Sequence, residues 1–173
     1  MMARFRVAFV AASLGLLVAA CASDGGTFAT PSGVAPETMV AQIRAAAGQD
    51  DTELAVQPLR DPMVEDLREQ ALTLQHQRRY ADAVAALEQA LALVPDDPAL
   101  LQERAEAAVL VGDFATAARL AKRAWDLGAK VGPLCRRHWE TLRQLRLVAG
   151  DAPGVASARV QRESCTVAAP VRY

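Results

Sequence analysis

From Val64 onward, apolar residues recur at three- and four-residue intervals, and the chain reads as helices over about 62–77, 81–94, 98–111, 114–127, 134–149 and 153–164. Breaks fall at Arg78-Arg79, Pro95-Asp96, Gly112-Asp113, Gly128 to Pro133 and Gly150-Asp151. Asp61-Pro62 and Asp97-Pro98 are helix starts, since aspartate caps a helix N-terminus and proline suits the first helical position. The segment before Asp61 differs in kind. Gly25, Gly26, Pro31, Gly33, Pro36 and Pro58 lie there among small and polar residues, the composition of a tether. A short helix from Glu37 to Ala47 and an extended stretch from Glu53 to Leu59 fit within it, each with little to bury by itself.

The helical part repeats itself. An offset of 34 residues aligns Ala71 with Ala105, Tyr80 with Phe114, Ala83 with Ala117, Ala90 with Ala124 and Leu93 with Leu127. Small matches small and large matches large, as two copies of one helix pair require. Tyr80-Ala81-Asp82-Ala83-Val84, the run Ala90 to Pro95 and the turn Gly112-Asp113-Phe114 resemble the tetratricopeptide repeat, a 34-residue pair of antiparallel helices. Arg78 stands where that family usually has glycine, Gln70 where it has leucine, and Ala129 where the second unit would have its terminal proline. A third unit is degenerate, because Gly150-Asp151 follows Gly112-Asp113 by 38 residues, one extra helical turn. Its first helix carries the stripe Trp139, Leu142, Leu145 and Ala149. Its second carries Val155, Ala158 and Val160 and ends in the polar run Gln161 to Ser164. The expected fold is all-α: a short tetratricopeptide-like solenoid of three antiparallel hairpins, the third acting as a cap with a wet outer side.

The N-terminus adds an address. Arg4 and Arg6 precede an apolar stretch from Val7 to Ala20 that is too short to span a bilayer but right for an export signal. Val18-Ala19-Ala20-Cys21 resembles a bacterial lipobox, which implies cleavage before Cys21 and lipid attachment to it. Ala22 follows, not the aspartate that retains such proteins in the inner membrane, so the resemblance points to the outer membrane, with the chain facing the periplasm. The expected organisation is a signal peptide at 1–20, a lipidated N-terminus and flexible linker at 21–60, a helical domain at 61–165 and a tail at 166–173. Export also bears on the remaining cysteines. Cys135 opens the first helix of the third hairpin and Cys165 follows its second, so antiparallel packing sets them at similar heights, and oxidising surroundings favour a disulfide.

Composition narrows the function. Loss of the signal leaves 17 basic against 20 acidic residues, a balance without the basic face that nucleic acid needs. The two histidines, His76 and His138, belong to no metal-binding or catalytic spacing, and Gly150 to Gly154 lacks the lysine and strand of a phosphate loop. No enzyme, metal or cofactor is expected, and His138 is read as structural. Binding remains. In tetratricopeptide proteins the first helices line a concave groove, and the resemblance maps groove positions onto Glu65, Arg68, Leu72 and Gln75, then Ala99, Gln102, Glu106 and Val109. That implies a mixed surface with exposed aliphatics, suited to a segment of another envelope protein with a basic or neutral face and one apolar anchor. A short tetratricopeptide lipoprotein on a linker resembles the outer-membrane activators of class A penicillin-binding proteins. The alternatives are a scaffold or assembly lipoprotein for a pilus, secretion or other envelope complex, and a self-associating structural lipoprotein.

Overall fold

A computed structural model describes residues 33–48 and 61–166. The signal segment, Cys21, the stretch Glu53 to Leu59 and the tail beyond Thr166 lie outside them. The described residues are all-helical, in seven helices: α1 (Pro36–Ala45), α2 (Pro62–His76), α3 (Tyr80–Leu93), α4 (Pro98–Leu110), α5 (Phe114–Leu127), α6 (Pro133–Val148) and α7 (Ala152–Ser164). None is long and apolar enough to cross a membrane.

The six helices read from periodicity begin and end within a residue or so of their expected bounds, and local chemistry explains why. Asp61 accepts from the Met63 N–H at 2.8 Å, and Asp97 from the N–H groups of Ala99 and Leu100 at 2.8 and 3.0 Å, each just before a proline. The turns inside the pairs share one geometry. Arg79 N–H donates to Leu74 O, Asp113 to Ala108 O and Asp151 to Arg146 O, each at 2.9 Å, the long return bond of a Schellman ending. Each such turn needs a left-handed residue. Gly112 (φ 80°) and Gly150 (φ 70°) supply it freely, whereas Arg78 adopts φ 59° against the preference of a side-chain-bearing residue.

Packing follows the pairs. α2 lies against α3, α4 against α5 and α6 against α7, and successive pairs meet through α3 with α4 and α5 with α6. The aligned positions share their burial: Ala83, Ala117, Ala90 and Ala124 are fully buried, Ala71 and Ala105 essentially so, and Leu93 and Leu127 are both exposed. Alanine at these crossings lets helix axes approach closely. One core joins α2 and α3 to Leu100 and Ala107 of α4; a second joins α4 and α5 to Trp139 and Leu142 of α6 and Ala158 of α7. In the second, Trp125 meets Trp139 edge to face at 5.3 Å between ring centroids. Cys135 and Cys165 form a disulfide, with Cα atoms 5.7 Å apart, that ties the start of α6 to the end of α7.

Two expectations are corrected. Ala149 caps α6 and is exposed, so the buried stripe of that helix ends at Leu145. Val160 is 56% exposed because nothing among the described residues packs beyond α7, leaving Ala158 as that helix's buried residue. A larger correction concerns the linker. The short helix expected near Glu37 to Ala47 forms as α1, yet Met39 and Ile43 are fully buried and Val40 nearly so. They build a third core with Val109 and Leu110 of α4, Ala117 of α5 and Leu145 of α6. Residues 36–45 therefore belong to the folded body.

Candidate functional site

The helices α2, α4 and α6 are the first members of the three pairs, and α1 lies across α4 and α6. This contact takes in Glu106 and Val109 of α4 and, through Arg44, Gln75 of α2, three of the residues expected to line an open groove. α4 pays for its position in polar chemistry: from Leu100 to Leu110 every residue but Glu103 is buried, although Gln102, Arg104 and Glu106 are among them. Buried polar groups need partners. Glu106 has three. Arg44 of α1 donates from Nε to Oε2 at 2.9 Å, Arg137 of α6 donates to Oε1 from Nε at 3.0 Å and from Nη2 at 2.5 Å, and Gln102 Nε2 donates to Oε1 at 2.9 Å.

A buried ladder continues from Gln102. Its amide nitrogen also donates to Thr141 Oγ1 at 2.8 Å, and Thr141 donates in turn to Arg137 O. Because the amide nitrogen faces a carboxylate and a hydroxyl, the amide oxygen is left for His138, whose Nδ1 lies 2.8 Å away. His138 Nδ1 is thus the protonated nitrogen, and Nε2 carries a lone pair with no protein partner in the interior. Burial, reinforced by the charges of Arg137 and Lys130, pushes the His138 pKa down to about 3, so the ring is neutral and structural.

α1 is held at both ends and along its side. At its start, Tyr80 Oη donates to Glu37 Oε1 at 2.8 Å; that bond, with Glu37's own backbone N–H first among the causes, keeps the carboxyl below its ordinary range. Midway, Gln144 of α6 donates to Gln42 Oε1 at 2.5 Å. Near its end, Arg44 Nη2 donates to Gln75 Oε1 of α2 at 2.6 Å, and Arg136 Nε donates to the carbonyls of Ala46 and Ala47 at 3.2 and 3.1 Å. These last bonds satisfy carbonyls that the helix terminus leaves open.

The expected groove residues separate accordingly. Gln75 takes the Arg44 guanidinium. Gln102 and Glu106 are fully buried, as is Val109, which is therefore not an exposed aliphatic; α1 meets Glu106 and Val109, whereas Gln102 is bonded to Glu106, Thr141 and His138 between α4 and α6. Arg68 is engaged by Glu103, with Nε to Oε2 at 2.8 Å, and by Glu65 at 2.7 Å, which raises its pKa further above the ordinary guanidinium value and uses its charge internally. Leu72 keeps an open side, at 39% exposure, as does the Glu65 side chain, while Ala99 is half-buried. Leu72 lines a cavity of about 260 Å³ with Arg44, Ala47, Glu103 and Arg137, just beyond the end of α1.

The chain matches no family model and no curated protein. Among the described residues no group of three or more His, Cys, Asp or Glu is placed to hold a metal ion. Sequence reasoning missed Arg44, Arg137, Thr141 and Gln144. A weak signal for the last three existed, since Arg137, Thr141 and Gln144 follow helical spacing along a second face of α6. For Arg44 the signal was Met39, Val40 and Ile43, an apolar stripe on a ten-residue helix with nothing nearby in sequence to cover it.

Proposed function

We propose that this chain is a lipid-anchored envelope protein whose helix pairs form a short tetratricopeptide-like stack, with α7 as its cap, and that the face of α2, α4 and α6 binds a helix of another protein. One observation carries the reading. That face already holds a helix, α1, by an apolar stripe and an arginine set against a carboxylate, which is the helix-in-groove mode of protein recognition. The paired burial of the 34-residue matches supports the repeat, and the sequence from Arg4 to Cys21 supports export and lipidation at the outer membrane.

The biochemical role that best suits a small binding domain on a membrane tether is activation of a class A penicillin-binding protein during cell-wall synthesis. Eleven residues separate Cys21 from Gly33, enough for the folded body to stand up to about 40 Å from a lipid on Cys21 when extended. An assembly lipoprotein for a pilus or secretion complex remains the second reading. Crosslinking in cells followed by pull-down from envelopes tests both, with Cys21→Ser as the mislocalised control. Enrichment of a bifunctional cell-wall synthase supports the activator role. A pilus or secretion component favours the scaffold instead, and recovery of this protein alone means self-association.

A further inference from the structure

We infer that α1 is an exchangeable ligand of the face it covers, and that the partner displacing it is a longer amphipathic helix with the α1 pattern: two adjacent apolar residues, a third one turn on, and an arginine directly after it. This rests on the helix-binding reading above and adds the identity of the competing segment and the features of the partner that replaces it.

The pattern is read from what each α1 residue meets. Met39, Val40 and Ile43 fill the apolar part of the face against Val109 and Leu145, and Arg44 reaches Glu106. The face is built to survive exchange. When α1 leaves, Glu106 keeps Arg137 and Gln102, Gln144 keeps its bond to Glu140, and Gln75 can turn to water. What the vacated face cannot satisfy with water is the apolar strip of Val109, Leu110 and Leu145, so it calls for another apolar stripe. α1 itself is short. Ten residues are too few for a stable isolated helix, so its order depends on the face beneath it.

A different protein is a better occupant than a second copy of this chain. Each copy's α1 is tethered beside its own face at high local concentration, and the α1 of a second copy brings the same contacts without that advantage. A winning helix must touch something α1 does not. The cavity beyond Ala47 offers that contact: α1 ends at Ala45, Gly48 turns the chain at φ 81°, and the side chain at position 47 is only a methyl group beside Leu72. A helix that continues and places a larger apolar residue there would fill space that α1 leaves open.

The test uses the full chain and a labelled peptide of residues 33–48, followed by fluorescence anisotropy. Arg44→Ala in the chain should raise its affinity for the native peptide about tenfold over the unaltered chain, the scale of one charge-assisted hydrogen bond. An Ala47→Leu peptide should bind several-fold more tightly than the native one, and an Arg44→Glu peptide should bind weakly. Because an altered chain could lose structure, hydrogen exchange is also measured on the unaltered chain with excess Ala47→Leu peptide, where the amides of α1 should exchange faster while those of α4 do not. No peptide binding by either method, or equal binding of the Arg44→Glu peptide, overturns the inference. Dimers of the Arg44→Ala chain that the peptide dissolves would assign the face to a second copy and overturn the choice of partner. Peptide exchange with no envelope protein recovered in the pull-down would sink the envelope-binding function and leave exchange standing.

Discussion

Arg44 on α1 and Glu106 on α4 are 62 residues apart in sequence and 2.9 Å apart at their charged atoms. The pair is unequal. Arg44 is 39% exposed at its side chain while Glu106 is fully buried, so the carboxylate depends on its neighbours far more than the guanidinium does.

Removing each partner should therefore cost different amounts. Glu106→Ala leaves Arg44 and Arg137 converging on an empty site and the Gln102 amide short of an acceptor, a loss of about 2 to 4 kcal/mol after allowing for arginines that reach solvent. Arg44→Ala leaves the carboxylate with Arg137 and Gln102, and should cost about 1 kcal/mol. Urea denaturation of the two variants decides the order; equal losses would mean that Arg137 contributes little.

The disulfide sets a second expectation. Closing a loop between residues 30 apart contributes about 3 to 4 kcal/mol in the chain-entropy description. Cys165→Ser should lower the melting temperature under oxidising conditions and match the reduced native chain when a thiol reductant is added. A deficit that persists with reductant would assign the effect to packing, because both cysteines are buried in the core shared by α4, α5, α6 and α7.

Arg78 offers a stabilising change. It holds the left-handed position that Gly112 and Gly150 hold in the other two turns. Arg78→Gly should raise stability by about 1 kcal/mol, the left-handed strain relieved less the extra freedom gained by the unfolded chain. Thermal unfolding checks it, and a lower midpoint would show that the arginine side chain holds this turn.

His138 fixes the acid response. Its folded pKa of about 3 lies below the ordinary 6.5, so the unfolded chain binds the proton more readily, and stability is full above pH 6.5 and lost as pH falls toward 3. In Glu140, burial pushes the carboxyl up, but hydrogen bonds from Arg143 and Gln144 and the charges of Arg143 and Arg162 outweigh it and leave the group below 4.5. Glu37 and Asp113 are also lowered from carboxylate values, so these groups erode stability only in more acid solution. Between about pH 6 and 5 the slope should approach about 1.4 kcal/mol per pH unit, from His138, before the carboxylates begin to protonate in the unfolded chain. In His138→Asn, equilibrium denaturation across that range should show a slope near zero, whatever the variant's absolute stability.

How much could be read in advance depended on whether the cause was local. The starts of α2 and α4 were legible because Asp61-Pro62 and Asp97-Pro98 carry cap and first-turn chemistry within two residues. The alanine crossings were legible because the 34-residue offset repeats them. Cys135 and Cys165 could be paired from helix lengths together with the export signal that implies oxidising surroundings. The covered face was not legible, because nothing in periodicity relates Arg44 to Glu106 or Gln42 to Gln144, and the glycines and prolines around α1 read as tether. Gln102 and Glu106 looked exposed for the same reason: a polar residue on a first helix is a solvent residue unless something distant lies over it.

A row of helix pairs in which each touches only its neighbours unravels from its ends. α1 removes that freedom. It bonds to Gln75 in the first pair, Tyr80 on the helix beside it, Glu106 in the second and Gln144 in the third, so a ten-residue segment fastens every pair to every other. With α1 seated, the domain should unfold in one concerted step; with α1 withdrawn, the same sequence becomes a chain of separately yielding links.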